Sequence, residues 1–251
     1  MGRGTDFESV SFLRRAVTGI ELIAGLMFPL GIRLWLLLSP DLPISRAGMH
    51  EKRTAADSPH AAFGIVAIAS SAGGLHALSE VLSCLPADFP VSVVVVQHLD
   101  PRHRSLMAEI LSRRTPLKVK EAAEGDVVCP GRVYIAPPNR HLLLNPDGSV
   151  SLTQSELVHF ARPSADLLFE SVATAYQKRA IAVVLSGAGS DGSMGVQAIK
   201  KMGGTVIAQD EKTSEFFGMP GAAIQSGTVD FILPLKEIGS ALVSLVMKDV
   251  V

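Results

Sequence analysis

The chain has 251 residues, of which 47% are hydrophobic and 19% are charged, and this composition excludes an intrinsically disordered protein. Its 23 lysine and arginine residues are balanced by 24 aspartate and glutamate residues, so no basic field favours binding to nucleic acid. The two cysteines, Cys84 and Cys129, form no CxxC motif and no Cys/His cluster, which argues against a disulfide scaffold and a structural zinc site. We therefore expect a reduced, cytoplasmic setting.

The first 63 residues differ from the rest of the chain, and we predict that they form an extension without a domain of its own. Residues 16–38 are strongly apolar, but Glu21 and Arg33 lie within this stretch and Pro29 interrupts helical continuity. The uncharged run 22–32 is too short to span a bilayer. A membrane anchor, a peripheral helix and a non-native extension all stay open for this stretch. Residues 45–62 are predicted to be a polar linker.

From residue 64 onward, short β-branched runs alternate with segments of helical periodicity. The continuous apolar runs predict strands that are buried on both faces, at residues 65–68, 91–96, 133–135, 181–185 and 205–208. The segments with helical spacing lie at residues 75–85, 105–113, 164–176 and 194–202. This alternation predicts one α/β domain over residues 64–251, with a doubly wound, mostly parallel sheet and helices on both faces.

A turn signal interrupts the alternation in the middle of this domain. Asn145, Pro146, Asp147 and Gly148 separate two short apolar runs, at residues 142–144 and 150–152. Turn residues between two strand-like runs are typical of a hairpin. We therefore predict a small β-hairpin inserted into the α/β domain.

Three residues of the types that make up a serine hydrolase follow three of the predicted strands. Ser71 follows the first strand, His98 the second, and Asp191 lies in the glycine-rich loop after the strand at 181–185. Functional residues of open α/β sheets collect beyond the carboxyl ends of the strands, so we expect these side chains to lie together. A serine nucleophile needs a base and a carboxylate that orients the base. We predict these roles for Ser71, His98 and Asp191 respectively.

The turn around Ser71 also supplies backbone donors. Ala69 and Gly73, two residues before and after Ser71, permit a sharp turn from strand to helix. The N–H groups of Ala72 and Gly73 would then hold an oxyanion at the helix N-terminus. The chain order Ser, His, Asp differs from that of α/β-hydrolases and disfavours their fold. Each residue also has a structural interpretation: helix packing for the small residues, solvation for the histidine and a helix cap for the aspartate.

The glycine-rich loop supports a second hypothesis, a Rossmann-like oxidoreductase that binds a dinucleotide. Gly187, Gly189 and Gly192 match G-x-G-x-x-G between a predicted strand and a predicted helix, and Asp210 follows beyond the next strand. Asp191, inside the loop, would bring negative charge to the pyrophosphate, which weakens this hypothesis. We predict no metal site, because short ligand spacing is lacking among the histidines His98, His103, His141 and His159.

Several segments of the domain also match, in order, the motifs of one protein family. Residues 69–74 resemble its G-A-S-T-G-G serine turn, residues 96–98 its histidine strand end, and residues 186–192 its T-G-M-G-N-D-G aspartate loop. Residues 134–137, 162–169, 207–209 and 217–220 are also similar. The family is that of the CheB-type chemotaxis protein-glutamate methylesterases. The resemblance implies the same triad, Ser71, His98 and Asp191, but Ala72 replaces the family's threonine and Ala188 its methionine.

The resemblance implies a serine hydrolase that converts glutamyl methyl esters of chemoreceptors into glutamate and methanol, without a metal or organic cofactor. Some relatives also deamidate receptor glutamines. The implied partner is the bundle of cytoplasmic helices of a methylated chemoreceptor. Family members typically carry an N-terminal receiver domain, for which residues 1–63 are too short. We therefore expect no aspartyl phosphorylation within this chain and consider a separate receiver or methyltransferase as a partner. The two alanines keep a third hypothesis open, a catalytically silent signalling scaffold.

Overall fold

The structure, a computed structural model, describes residues 63–99 and 105–247. Residues 1–62 of the predicted N-terminal extension, which include its apolar stretch 16–38 and its linker 45–62, lie outside the described residues, so the boundary of the extension at residue 63 stays a prediction. In the described part of the chain, no helix is long and apolar enough to cross a membrane.

Seven strands form one parallel sheet in the order β3-β4-β2-β1-β7-β8-β9. These strands are β1 (Ile65–Ser70), β2 (Ser92–Gln97), β3 (Lys118–Glu121), β4 (Arg132–Ile135), β7 (Ala180–Val184), β8 (Thr205–Gln209) and β9 (Phe231–Leu233). The predicted hairpin is also present, as the antiparallel pair of β5 (His141–Leu144) and β6 (Val150–Thr153). The predicted doubly wound, mostly parallel sheet with an inserted hairpin is confirmed, and the edge strands β3 and β9 add to it.

Helices cover both faces of the sheet, as predicted. They are α1 (Gly74–Ser83), α2 (Met107–Leu111), α3 (Ala165–Tyr176), α4 (Ser193–Lys201), α5 (Gly218–Gln225) and α6 (Leu235–Met247). Alternate residues of β1 point to opposite faces, so that Ala67 packs with α3, α4 and α5, whereas Ile68 packs with α1, α2 and α6. Both faces of the central strands are thereby buried, which explains their continuous apolar sequences.

The topology brings the ends of β1, β2 and β7 together. β1 lies between β2 and β7. After β1, the chain forms β2, β3 and β4 on one side of it and then crosses to β7 on the other side. Open α/β sheets bind ligands in the crevice that this change of direction leaves beyond the strands. Ser70 and Gln97 form the last pair of β1 and β2. Ser71 and His98 are therefore the first residues after the two strands.

Candidate active site

The backbone of Ser71 is fixed in the turn between β1 and α1. Its N–H donates to the carbonyl of Ser186 at 3.0 Å, and its own carbonyl accepts from Gln97 Nε2 at 2.7 Å and from the N–H of Gly74 at 2.9 Å. Gly73, the N-cap of α1, has φ of 75°, a left-handed conformation that favours glycine. The sharp turn predicted around Ser71 is therefore present and is tied to the strands on either side.

Two backbone donors follow Ser71. In the described part of the chain, no residue accepts a hydrogen bond from the N–H of Ala72 or Gly73. The carbonyl of Ala72 accepts from Ser186 Oγ at 2.8 Å, which orients the peptide plane of the turn. Since α1 begins at the next residue, both N–H groups lie at the positive end of a helix dipole. They are available to an anionic ligand.

Gln97 joins the ends of β1 and β2, a role that was not predicted from the sequence. Its Oε1 accepts from Ser70 Oγ at 2.7 Å, and its Nε2 donates to the carbonyls of Ser71 and His98 at 2.7 and 3.1 Å. A buried amide can keep this position only where its donors and acceptors are satisfied. The signal in the sequence is the polar residue that directly follows four consecutive valines.

His98 and Asp191 form a hydrogen-bonded pair. His98 Nε2 lies 2.8 Å from Asp191 Oδ2, and the two side chains are 19% and 4% exposed. Because Nε2 is held by the carboxylate, Nδ1 is the ring nitrogen that is left to exchange protons with a substrate or a nucleophile. In the described part of the chain, the Ser71 hydroxyl makes no hydrogen bond to His98. Catalytic hydrogen bonds of this kind often tighten only when substrate binds.

Asp191 is held by the N-terminus of α3. Its Oδ1 accepts from Ser164 Oγ at 2.9 Å and from the N–H of Asp166 at 3.0 Å, and its Oδ2 accepts from the N–H of Ala165 at 2.7 Å. Burial favours the neutral acid, but the hydrogen bonds from His98, Ala165 and Asp166 outweigh it, so the pKa of Asp191 lies below its ordinary value. An ionised, fixed carboxylate therefore faces His98.

Asp166 binds the backbone N–H groups that a dinucleotide on the glycine-rich loop would need. Its Oδ1 accepts from the N–H groups of Met194 and Gly195, at 3.0 and 2.7 Å, in the first turn of α4. A pyrophosphate on the glycine-rich loop would need these same donors. Asp210 Oδ1 accepts from the N–H of Thr213 at 3.0 Å, in a local turn of its own. The Rossmann-like alternative is not supported.

His141 makes structural contacts. The buried His141 accepts from the N–H of Ser164 through Nδ1 at 3.1 Å, and its Nε2 lies 3.0 Å from the carbonyl of Glu156. His141 thereby supports the residue that caps α3. His103 lies outside the described residues. The described ranges contain no group of three His, Cys, Asp or Glu side chains that could hold a metal ion.

Two adjoining cavities open at this edge of the sheet. A cavity of about 580 Å³ is lined by His98, Asp191 and Ala188, and one of about 590 Å³ is lined by Ser71 and Gly73. Leu99 lines both cavities, so they meet beside the predicted triad. The fold thus brings all three predicted residues to one edge, with Ser71 on one side of the boundary and the His98 and Asp191 pair on the other.

Comparisons with known proteins identify a family that this chain resembles. Residues 66–242 match the family model described as CheB methylesterase. Relatives named protein-glutamate methylesterase/protein-glutamine glutaminase include one from Moorella thermoacetica, 42% identical over 72% of this chain and 44% of its own. A relative from Bdellovibrio bacteriovorus is 45% identical over 71% of this chain and 51% of its own. The chain therefore spans about half the length of these two relatives.

Shorter proteins match over nearly their whole length. A Leptospira interrogans protein, described as a putative protein-glutamate methylesterase/protein-glutamine glutaminase, is 40% identical over 72% of this chain and 93% of its own. The crystal structure of the Thermotoga maritima CheB methylesterase catalytic domain superposes with a TM-score of 0.71 and 41% identity, over 73% of this chain and 99% of that domain. On these grounds, the chain belongs to the CheB methylesterase family.

Proposed function

We propose that this protein is a serine hydrolase that demethylates glutamyl methyl esters on a protein substrate, with Ser71 as nucleophile, His98 as general base and acid, and Asp191 as the orienting carboxylate. The observation that carries the proposal is the 2.8 Å hydrogen bond between His98 and Asp191, at the sheet edge where the Ser71 turn also ends. The relatives named protein-glutamate methylesterase support the same substrate chemistry.

The first half of the reaction forms an acyl-enzyme. Ser71 Oγ attacks the ester carbonyl carbon while His98 takes the hydroxyl proton through Nδ1, the nitrogen that Asp191 leaves free. The N–H groups of Ala72 and Gly73 stabilise the negative charge that develops on the carbonyl oxygen. The tetrahedral intermediate then breaks its bond to the methoxy oxygen, which takes the proton from His98 and leaves as methanol. Asp191 stabilises the imidazolium throughout.

The second half releases the product. Water attacks the acyl carbon while His98 takes one of its protons, and the bond to Ser71 Oγ then breaks as that proton returns to Oγ. The substrate glutamate regains its charge. A glutamine amide would follow the same steps with ammonia as leaving group, and the second half of the relatives' name supports this glutaminase activity. Every step uses protein groups and water, so the proposed mechanism requires no metal or organic cofactor.

The proposed substrate is a methylated chemoreceptor, whose cytoplasmic helices would dock at the sheet edge. The proposed location is therefore the cytoplasm, beside the receptor. A receiver domain or a methyltransferase on a separate chain is the proposed regulatory partner. The crevice shared by the two cavities is where the ester side chain would enter, because Ser71 and His98 line it from opposite sides.

Methanol release from a methylated chemoreceptor fragment tests the proposal. The wild-type chain is expected to release methanol, and Ser71→Ala is expected to abolish release. Ser79→Ala is a matched control, because Ser79 lines the same cavity but donates only to the carbonyl of Leu75 on α1. A serine-directed phosphonate should label the wild type, whereas His98→Ala should prevent labelling. A folded wild type that releases no methanol would favour the silent scaffold instead.

A further inference from the structure

A two-residue turn at the rim of the cavity lined by His98 and Asp191 carries an aromatic residue in a strained conformation. Val158 and Ala161 exchange both backbone hydrogen bonds, at 3.2 and 2.8 Å, so His159 and Phe160 are the central pair of the turn. Their φ angles are 47° and 60°, in the left-handed region. Turns of this kind favour asparagine and glycine, and a bulky residue seldom adopts this conformation.

Packing of the Phe160 ring against the described residues does not explain this conformation. Phe160 is 97% exposed, and Leu157, just before the turn, is 54% exposed. A buried ring would offset the strain, whereas this ring is not buried against any of the described residues. Strained residues cluster where proteins contact ligands. The conformation of Phe160 therefore indicates a contact with another molecule.

The turn is held in place from both sides. His159 Nε2 lies 3.2 Å from Asp166 Oδ2, next to the N-terminus of α3. After the turn, Arg162 donates through Nη1 to the carbonyl of Ser155 at 2.6 Å. Phe160 is thus presented by a fixed element, and a partner that docks on it does not have to order a free loop.

The turn is continuous with the candidate active site. Leu157, His159 and Phe160 line the same cavity of about 580 Å³ as His98 and Asp191. An ester carbonyl that reaches His98 through this cavity brings the rest of its chain past the ring. The occupant of this surface is therefore the molecule that carries the ester.

We infer that Phe160 and Leu157 form a docking site for apolar side chains of the protein segment that carries the glutamyl methyl ester. The inference rests on the proposed function and adds a determinant of specificity to it. An ester on a small molecule has no neighbouring side chains to place on Phe160. The docking site therefore selects an ester that is carried by a protein segment with apolar residues beside it.

The test compares two methylated chemoreceptor fragments, the original and one in which the apolar residues one helical turn from the methylated glutamate are alanine. The wild-type chain is expected to prefer the original by about tenfold in kcat/KM, equivalent to roughly 1.4 kcal/mol. Phe160→Ala should remove the preference. Phe160→Gly should also remove it, and glycine adopts positive φ without strain. Phe231→Ala, at the 43% exposed Phe231 of the edge strand β9, should keep it.

The outcomes separate the docking site from the esterase. A preference that survives in Phe160→Ala and Phe160→Gly would overturn the docking site and leave the esterase intact. The absence of any preference in the wild type would do the same. A wild type that releases no methanol from either fragment would instead overturn the proposed function, and the docking site with it.

Discussion

Asp191 caps the N-terminus of α3, the helix that contains Asp166, and Asp166 caps the N-terminus of α4, the helix that follows Asp191. Asp191 lies just before α4, yet its carboxylate accepts from the first N–H groups of α3. Asp166 lies in the first turn of α3, yet its carboxylate accepts from the first N–H groups of α4. Because negative charge is stabilising at a helix N-terminus, this exchange joins α3 to α4 and fixes the carboxylate that faces His98.

The exchange predicts that Asp166 affects activity through Asp191. Asp166→Ala removes the acceptor of two N–H groups in α4, and we expect it to lower the free energy of unfolding by about 1–2 kcal/mol. Because the first turn of α4, next to the loop that carries Asp191, loses its hydrogen bonds to Asp166, methanol release should fall about tenfold, which corresponds to a rise of about 1.4 kcal/mol in activation free energy. Asp166→Asn keeps an acceptor oxygen and should recover most of both losses.

A matched control lies at the far end of α4. Asp230 accepts from the N–H of Val206 at 2.9 Å and pairs with Lys200, away from the site. Asp230→Ala should therefore lower stability without lowering turnover of the folded enzyme. Equal turnover in Asp166→Ala and Asp230→Ala, measured below their unfolding transitions, would refute the link to Asp191.

Asp191→Asn tests the orienting carboxylate itself. Asparagine has nearly the same shape, but it loses the charge that stabilises the imidazolium and allows the wrong tautomer of His98. We expect kcat for methanol release to fall about 10³-fold, with KM little changed and the circular dichroism spectrum retained. A loss of less than about tenfold in a folded variant would remove Asp191 from the proposed triad.

The lowered pKa of Asp191 predicts how stability changes in acid. Its pKa in the folded chain lies below the ordinary value of 3.8, so this group stabilises the fold above pH 3.8 and the contribution is lost as pH falls through the folded pKa. Burial raises the pKa of Asp166, although the hydrogen bond from the N–H of Gly195 opposes the rise. A raised pKa has the opposite effect, because the contribution of the group to stability then falls as pH rises. The free energy of urea unfolding should therefore fall less steeply below about pH 4 in Asp191→Asn than in the wild type. Parallel profiles for the two proteins would contradict this assignment.

The sequence was most informative at the central strands, whose apolar runs are followed by polar residues. The central strands are buried on both faces, so their runs were recognisable, and the strand order brings Ser71, His98 and Asp191 to one edge as predicted. The edge strand β3, Lys118–Glu121, was not predicted because only one of its four residues is apolar. Helix α5, Gly218–Gln225, was not predicted because it contains two glycines and a proline within four residues.

The groups that support the site were harder to predict, since their roles depend on tertiary contacts. Ser164 caps α3, which its place at the start of the predicted helical segment indicates, but its contact with Asp191 spans 27 residues of chain. His141 reaches Ser164 across the hairpin in the same way. Each side chain is common in isolation, and only the folded chain shows that both support the carboxylate beside His98.

A double-mutant cycle at Gly74 and Gln97 tests the support of the serine turn. A Cβ on Gly74 would lie 2.1 Å from Gln97 Oε1 and 2.8 Å from Ser70 Cβ, so Gly74→Ala must displace the amide that holds the Ser71 carbonyl. We expect a loss of about 1–3 kcal/mol in the free energy of unfolding and about a tenfold loss in methanol release. Gln97→Ala alone should also lower both, because three hydrogen bonds are lost. In Gln97→Ala, the further change Gly74→Ala should cost less than it does in the wild type, because the closest clash is gone. Strictly additive losses would show that Gly74 and Gln97 act independently, which would contradict a steric clash between residue 74 and the Gln97 amide.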